Sequence, residues 1–316
     1  MPRQIRTRIS GWLSKLVFKF SIASFVGMFL VLLMGSLVTK TESGRGCGDD
    51  WPLCNGKFVP AYTIESLFEW SHRFVSAVVG LIVLATFILV LIYSKKIEAK
   101  LYSGSILFFT VVQAIMGAFA VVWPQSSAVL ALHFGLSLLA FASTVLLLLA
   151  LRQERREKDG VIPTSTQIDR SRFRYLVWAV LVYCYAVVYL GAYVRHTNSS
   201  GGCGRDWPLC DGAIIPDLSG ATGIVFLHRI GAILLFIMLL WVHLLSRKTK
   251  QSARIQYVSK VTFYLVTIQI FSGAFVTYSL GTDWYLLAAL VHVLLISGLF
   301  AALCHLAILV GRTPRR

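Results

Sequence analysis

Residues 46–54 read GCGDDWPLC and residues 202–210 read GCGRDWPLC, with eight of the nine positions identical at an offset of 156 residues. A match this dense marks an internal duplication, and working outward at the same offset extends it. Gly35 meets Gly191, the pair His72-Arg73 meets His228-Arg229, and Gln113 with Gly117-Ala118-Phe119 meets Gln269 with Gly273-Ala274-Phe275. His133 meets His292 at an offset of 159, which requires a three-residue insertion between the third and fourth helices of the second half.

The material being duplicated is membrane-spanning. Of 316 residues, 57% are hydrophobic and 14% charged, too apolar for a water-soluble chain of this length. A span needs roughly 20 mostly apolar residues to cross a hydrocarbon core about 30 Å thick. Eight such runs are present, near 16–38, 68–94, 101–122, 128–151, 173–195, 223–246, 258–279 and 284–309. The first has a basic flank (Arg3, Arg6, Arg8, Lys15, Lys19), no small-residue cleavage site and further spans behind it, so it is expected to stay in place as the first helix.

Each half then holds four helices. An even number returns the chain to the side it started from, so the halves are expected to be parallel repeats about an axis along the membrane normal, not inverted ones. The expected fold is an all-α membrane protein of eight transmembrane helices, built as two parallel four-helix-bundle repeats. The N-terminal bundle covers 1–151, a charged linker 152–172, and the C-terminal bundle 173–316.

The net charge of +16 is distributed by side. The N-terminus, 95–100, 152–174, 247–260 and the C-terminus hold 23 of the 30 basic residues and five acids, a balance of +18. The opposite side, with its helix ends, holds seven bases and nine acids, a balance of −2. This asymmetry follows the positive-inside rule and puts both termini in the cytoplasm. The basic blocks are read as topology signals, with the lipid bilayer as partner and no nucleic acid.

Six cysteines divide by location. Cys47, Cys54, Cys203 and Cys210 fall in the two long outer loops, on the oxidising side, at one repeated spacing. The expected pairings are Cys47–Cys54 and Cys203–Cys210. The spacing is not CxxCH, so covalent heme attachment of the c type is excluded, and neither loop offers a histidine at a zinc-finger spacing. Cys184 and Cys304 lie inside spans and read as small apolar packing residues.

Seven histidines are sorted by position. His72, His133, His228 and His292 lie near the outer ends of the second, fourth, sixth and eighth spans, each within about three turns at 1.5 Å per residue. A strongly polar side chain in a span is costly and marks function. One such histidine is ordinarily an interhelical donor, but four in register across a duplication point to ligation. Two neutral imidazoles suit the axial positions of heme iron, whereas zinc asks for four ligands, or three and a water. No third ligand repeats, so the metal residues are His72, His133, His228 and His292, as ligands of heme iron. Arg73 and Arg229 follow the first histidine of each pair and are candidates for the heme propionates, though successive helix residues point about 100° apart. His243 and His305 face repeat partners Phe87 and Leu146, and His196 lies just outside the fifth span; these three read as structural or interfacial.

The halves differ at one acidic position. Glu69 stands three residues before His72 and shares its helix face, while the residue three before His228 is Val225. The first half is therefore the candidate for chemistry and the second for electron transfer. Glu65 and Asp283 stand at helix starts, where the helix dipole accounts for them.

These residues, EWSHR at 69–73, the two GCGxDWPLC loops, LHRI at 227–230 and the later His133 and His292, resemble the heme A synthase family in its bacterial eight-helix form, over essentially the whole chain. The resemblance implies that His72 and His133 flank heme O as substrate, that His228 and His292 ligate heme b as cofactor, and that Glu69 is the essential acid. It implies oxidation of the C8 methyl of heme O to a formyl group by successive hydroxylations. It also implies a multi-pass protein of the bacterial cell membrane, a heme O synthase as partner, an electron-transfer partner of unknown identity, and compatibility with a homo-oligomer. Two other classes stand beside this reading. A membrane b-type cytochrome acting on quinone would use the spacings His228 to His243 and His292 to His305, which the duplication does not repeat; a transporter leaves the paired histidines and the one-sided Glu69 unexplained.

Overall fold

The structure, a computed structural model, describes residues 3–59, 63–123, 125–158 and 171–311. Among them are eight long α-helices and no β-strand: α1 (Arg3–Lys40), α2 (Ile64–Tyr93), α3 (Ile97–Val122), α4 (Ser127–Lys158), α5 (Ser171–His196), α6 (Gly220–Lys248), α7 (Ala253–Tyr278) and α8 (Tyr285–Gly311). All eight are long and apolar enough to cross a membrane. In lipid the backbone must satisfy its own hydrogen bonds, and a run of 25 or more residues in a helix does so. The chain is thus a multi-pass membrane protein.

The helices overrun their apolar windows. Helix α4 continues to Lys158, through residues expected to open the linker. Arg152, Gln153, Glu154, Arg155, Arg156 and Glu157 are good helix formers, and Gln153 donates to Glu157 one turn on (3.1 Å). The rest of the expected linker up to residue 170, and the last residues of the C-terminus, lie outside the described residues. Where side-chain caps are seen they are standard: Thr63 accepts from the Ser66 amide before α2, and Ser252 from the Ile255 amide before α7. Before α6, Ser219 instead donates through its amide and hydroxyl to Asp217, and these bonds hold that carboxyl below the usual carboxylate range.

The described chain forms two compact units. The first holds α1, α2, α3 and α4 from Leu136 onward; the second holds residues 125–135, at the start of α4, with α5 to α8. The sequence reading placed the whole of α4 with the first half.

In the first unit α1 lies along α2 at small residues. A Cβ on Gly27 would come within 2.7 Å of Val79, and the Ser24 and Thr86 hydroxyls bond at 2.8 Å. Contacts of this kind suit a medium in which apolar burial alone does not hold helices together. Phe25 of α1 stacks on Phe141 of α4 (5.6 Å), and Ser137 of α4 donates to Gln113 of α3 (2.9 Å). At the basic end, Ser94 donates to the buried Glu154 (2.6 Å) and Lys96 pairs with Glu157 (2.6 Å).

In the second unit α5, α6, α7 and α8 pack in a closed ring, each on its neighbour and α8 back on α5. Tyr183 donates to the Gly231 carbonyl (3.2 Å), Ser246 and Ser259 join α6 to α7 (2.9 Å), and the Tyr185 and Phe300 rings join α5 to α8 (5.9 Å). The outer end of α4 is held to α5, where Ser127 donates to the His196 carbonyl (2.7 Å) and Tyr189 to that of Ala128 (3.3 Å).

Candidate functional site

Both GCGxDWPLC loops fold alike. Each carries a disulfide, Cys47–Cys54 and Cys203–Cys210, as the repeated spacing predicts. In each, the second cysteine pairs its backbone with the residue three further on, Lys57 or Ala213. Asp50 accepts from the Gly56 amide (2.7 Å) and Asp206 from that of Gly212 (2.8 Å). Each loop rests on the first turn of the next helix through a glycine with no room for a side chain: a Cβ on Gly46 would meet the Glu65 carbonyl carbon at 2.3 Å, and one on Gly202 that of Ala221 at 2.5 Å.

Beneath the loops the two units diverge. In the second, Val225 joins Val194 and the Cys203–Cys210 bridge in a small apolar cluster, with Ile224 and Phe226 packed on it. In the first, that helix position is Glu69, only 4% exposed. Its Oε2 accepts from the Cys47 amide (2.8 Å), and its Oε1 from the Arg73 guanidinium (2.5 Å). A buried carboxylate needs such donors, and charge-assisted bonds are the strong ones. Arg73 also donates through Nη1 to the carbonyls of Asp50 and Leu53, both 2.8 Å away inside the disulfide ring. Arg229 repeats part of this, donating to the Leu209 carbonyl (2.6 Å) and toward the Thr277 hydroxyl (3.5 Å). The arginines proposed from sequence as propionate partners are thus also the posts to which the loops are tied. Sequence showed the residues but not this use, because the acceptors are backbone carbonyls.

The histidines lie one turn deeper. His72 on α2 sits against Gly35 of α1, where a Cβ would come within 3.0 Å of its Cε1. His228 on α6 sits against Gly191 of α5 in the same way, at 2.7 Å. This explains the repeated glycines: the imidazole lies on bare backbone. His292 on α8 faces α7, where a Cβ on Gly273 would approach its Cε1 to 3.3 Å and where Ser272 and Gln269 reach its ring. His133 belongs to the stretch of α4 grouped with the second unit.

A heme is the group these residues fit. The Nδ1 of His228 is buried with no hydrogen-bond partner among the described residues, and in the second unit the imidazoles of α6 and α8 are each seated on a glycine of a neighbouring helix, Gly191 of α5 and Gly273 of α7. Among the described residues no group of three or more His, Cys, Asp or Glu side chains is gathered as a cluster able to hold a metal ion. The inner histidines have other neighbours: His243 lies flat on the Phe263 ring (5.8 Å between centroids, 6° between planes), and His305 lies 3.5 Å from Arg254. Cys184 and Cys304 are free, Cys184 fully buried, as packing residues.

A family model described as "Cytochrome oxidase assembly protein" (COX15-CtaA) matches residues 18–304 of the chain. Proteins named heme A synthase are similar to it over nearly their whole lengths. That of Alkalihalophilus pseudofirmus is 39% identical over 93% of this chain and 97% of its own. That of Halalkalibacterium halodurans is 39% identical over 93% and 96%, and that of Bacillus cereus 40% identical over 93% of each.

Proposed function

The chain belongs to the COX15-CtaA family of cytochrome oxidase assembly proteins, and from that membership we propose that it works as a heme A synthase, a membrane oxidoreductase that oxidises the C8 methyl of heme O to a formyl group. The observation that carries the reading is the repeated seating of imidazole on glycine, His72 on Gly35 and His228 on Gly191, under two matching disulfide loops of which one alone covers a carboxylate. The similarity to proteins named heme A synthase supports it.

In this proposal His228 and His292 hold heme b, and the correspondence of His72 to His228 and His133 to His292 assigns His72 and His133 to the substrate. Heme b, when bound, supplies one-electron redox capacity. Successive hydroxylations of the methyl with two waters release four protons and four electrons and give a geminal diol, which loses one water to become the formyl group; the four electrons pass to the electron-transfer partner. Glu69 is proposed to take a proton from the reacting carbon or its hydroxyl; its two oxygens accept from the Cys47 amide and the Arg73 guanidinium, which orient the carboxylate. Arg73 holds Glu69 and the loop together, and Arg229 is the candidate for a heme b propionate in addition to its loop bond.

Other parts of the reading follow from the same family. A heme O synthase is the proposed source of substrate, an electron-transfer partner takes up the electrons removed, and a homo-oligomer is compatible with the chain. The basic side is assigned to the cytoplasm with both termini, and the two halves are proposed to be parallel repeats. Co-expression with a source of heme O, followed by extraction of the pigments, tests the function: formyl-bearing heme A is expected. Two permanent low-spin b hemes per chain without heme A would instead establish an electron-carrying cytochrome.

A further inference from the structure

The segment of α7 that faces His292 is QIFSG, residues 269–273, and Gln269, Ser272 and Gly273 fall on one helix face at the i, i+3 and i+4 positions. All three touch the histidine or its immediate space. The corresponding segment of α3 is QAIMG, residues 113–117. The glutamine and glycine are kept and all three residues between them differ, Met116 standing where the second half has Ser272.

Ser272 is 7% exposed and has one proton to give. Its hydroxyl donates back along α7 to the Gln269 carbonyl at 2.7 Å, a bond that serine commonly makes inside a helix. The same oxygen lies 2.7 Å from Nδ1 of His292. With its proton committed to the carbonyl, the hydroxyl accepts from the ring, so Nδ1 carries the hydrogen and Nε2 carries the lone pair. The Gln269 amide nitrogen lies 3.1 Å from each ring nitrogen, an equidistance that puts it over the ring and not along the in-plane Nε2 lone pair, and it donates to the His292 carbonyl, also 3.1 Å away, while its Oε1 has no partner among the described residues.

The first unit puts its hydroxyl elsewhere. Gln113 accepts through Oε1 from Ser137 of α4, and the residue of α8 that corresponds to Ser137 at the offset of 159 is Ile296.

We propose that Ser272 is the positioning residue of the second-half heme site: it fixes His292 with Nδ1 protonated and Nε2 presented as the ligand nitrogen. This rests on the reading that His292 ligates heme b. A hydrogen bond accepted from the distal nitrogen of a ligating imidazole orients the ring and makes it a stronger donor to the metal, which favours the oxidised iron and lowers the potential. The second site is in this way built to keep its heme. At Met116 the first half has a thioether, which accepts only weakly, in place of the Ser272 hydroxyl.

The test uses the full-length protein purified with its heme, comparing Ser272→Ala, Ser272→Val and Ser272→Thr. Valine and threonine have nearly the same shape, so their difference isolates the hydroxyl. Heme content, the midpoint potential of the bound heme and the carbon monoxide difference spectrum of the reduced protein are read. The alanine and valine variants are expected to have a raised midpoint potential and to bind carbon monoxide in a fraction of molecules where wild type binds none; threonine is expected to behave as wild type. Alanine and valine variants with wild-type potential and no carbon monoxide band would overturn the role of Ser272, as would a threonine variant displaced as far as valine. Wild-type protein that lacks a low-spin b heme would overturn the heme-site reading itself, independently of the variants.

Discussion

Glu69 and Val225 stand at matching positions, each three residues before a histidine and beneath a disulfide, yet one is a carboxylate. Burying it without partners would cost several kcal/mol, roughly the desolvation of an unpaired polar group or more. The Cys47 amide and Arg73 offset that cost. Glu69→Gln keeps the shape and an acceptor but loses the charge. The variant is expected to load its hemes and to lose turnover by about 100-fold or more, the scale of a lost acid–base group. Chromatography of extracted hemes would then show heme O and a hydroxylated intermediate in place of heme A. A wild-type yield of heme A would reject the proton-transfer role. The one-sided acid was legible in the chain because it broke a repeat. Its partners were not, since an amide nitrogen and two loop carbonyls carry no residue type. Ser272 was missed for the opposite reason: a search for repetition finds what the halves share, and at this place they differ.

At the level of the loop, the ring closed by Cys47–Cys54 offers Arg73 the carbonyls of Asp50 and Leu53, and offers Glu69 an amide. The ring closed by Cys203–Cys210 holds Arg229 by Leu209 and shelters Val225. Closing a ring of this size restricts the unfolded chain by about 2–3 kcal/mol. Opening either is therefore expected to lower stability, but with different consequences. Replacing Cys47 and Cys54 by serine is expected to cut heme A formation at least ten-fold with heme b retained. Replacing Cys203 and Cys210 is expected to lower the melting temperature without displacing Glu69. Heme analysis and a thermal melt of both proteins check this, and equal loss of heme A in the two would show that the first ring has no special tie to the acid. The pairing was readable from a shared spacing; the helix limits were read less closely, because charged but helix-forming residues such as those at 152–157 extend α4 beyond its apolar window.

For the molecule as a whole, the eight spans were legible because a bilayer accepts little besides a long apolar helix. The grouping of the start of α4 with α5 to α8 was not, because it depends on contacts such as that of Ser127 with His196 that no hydropathy pattern carries. The proposed orientation, with both termini in the cytoplasm, rests on the balance of +18 against −2 on the two sides. A fluorescent protein fused after Arg316 is expected to fluoresce and alkaline phosphatase at the same place to be inactive, while phosphatase inserted after Lys57 is expected to be active. The reverse pattern would invert the assigned topology and place both disulfides in a reducing compartment.

The seat of His228 on Gly191 has one more consequence. A ring that leans on a side chain shifts whenever that side chain changes rotamer, but a ring that leans on helix backbone moves only when the helix does. The tilt of this imidazole therefore tracks the spacing of α5 and α6, and the electron paramagnetic resonance of an iron it ligates would register a sub-ångström slide between those two helices, as a strain gauge registers the bending of the beam to which it is bonded.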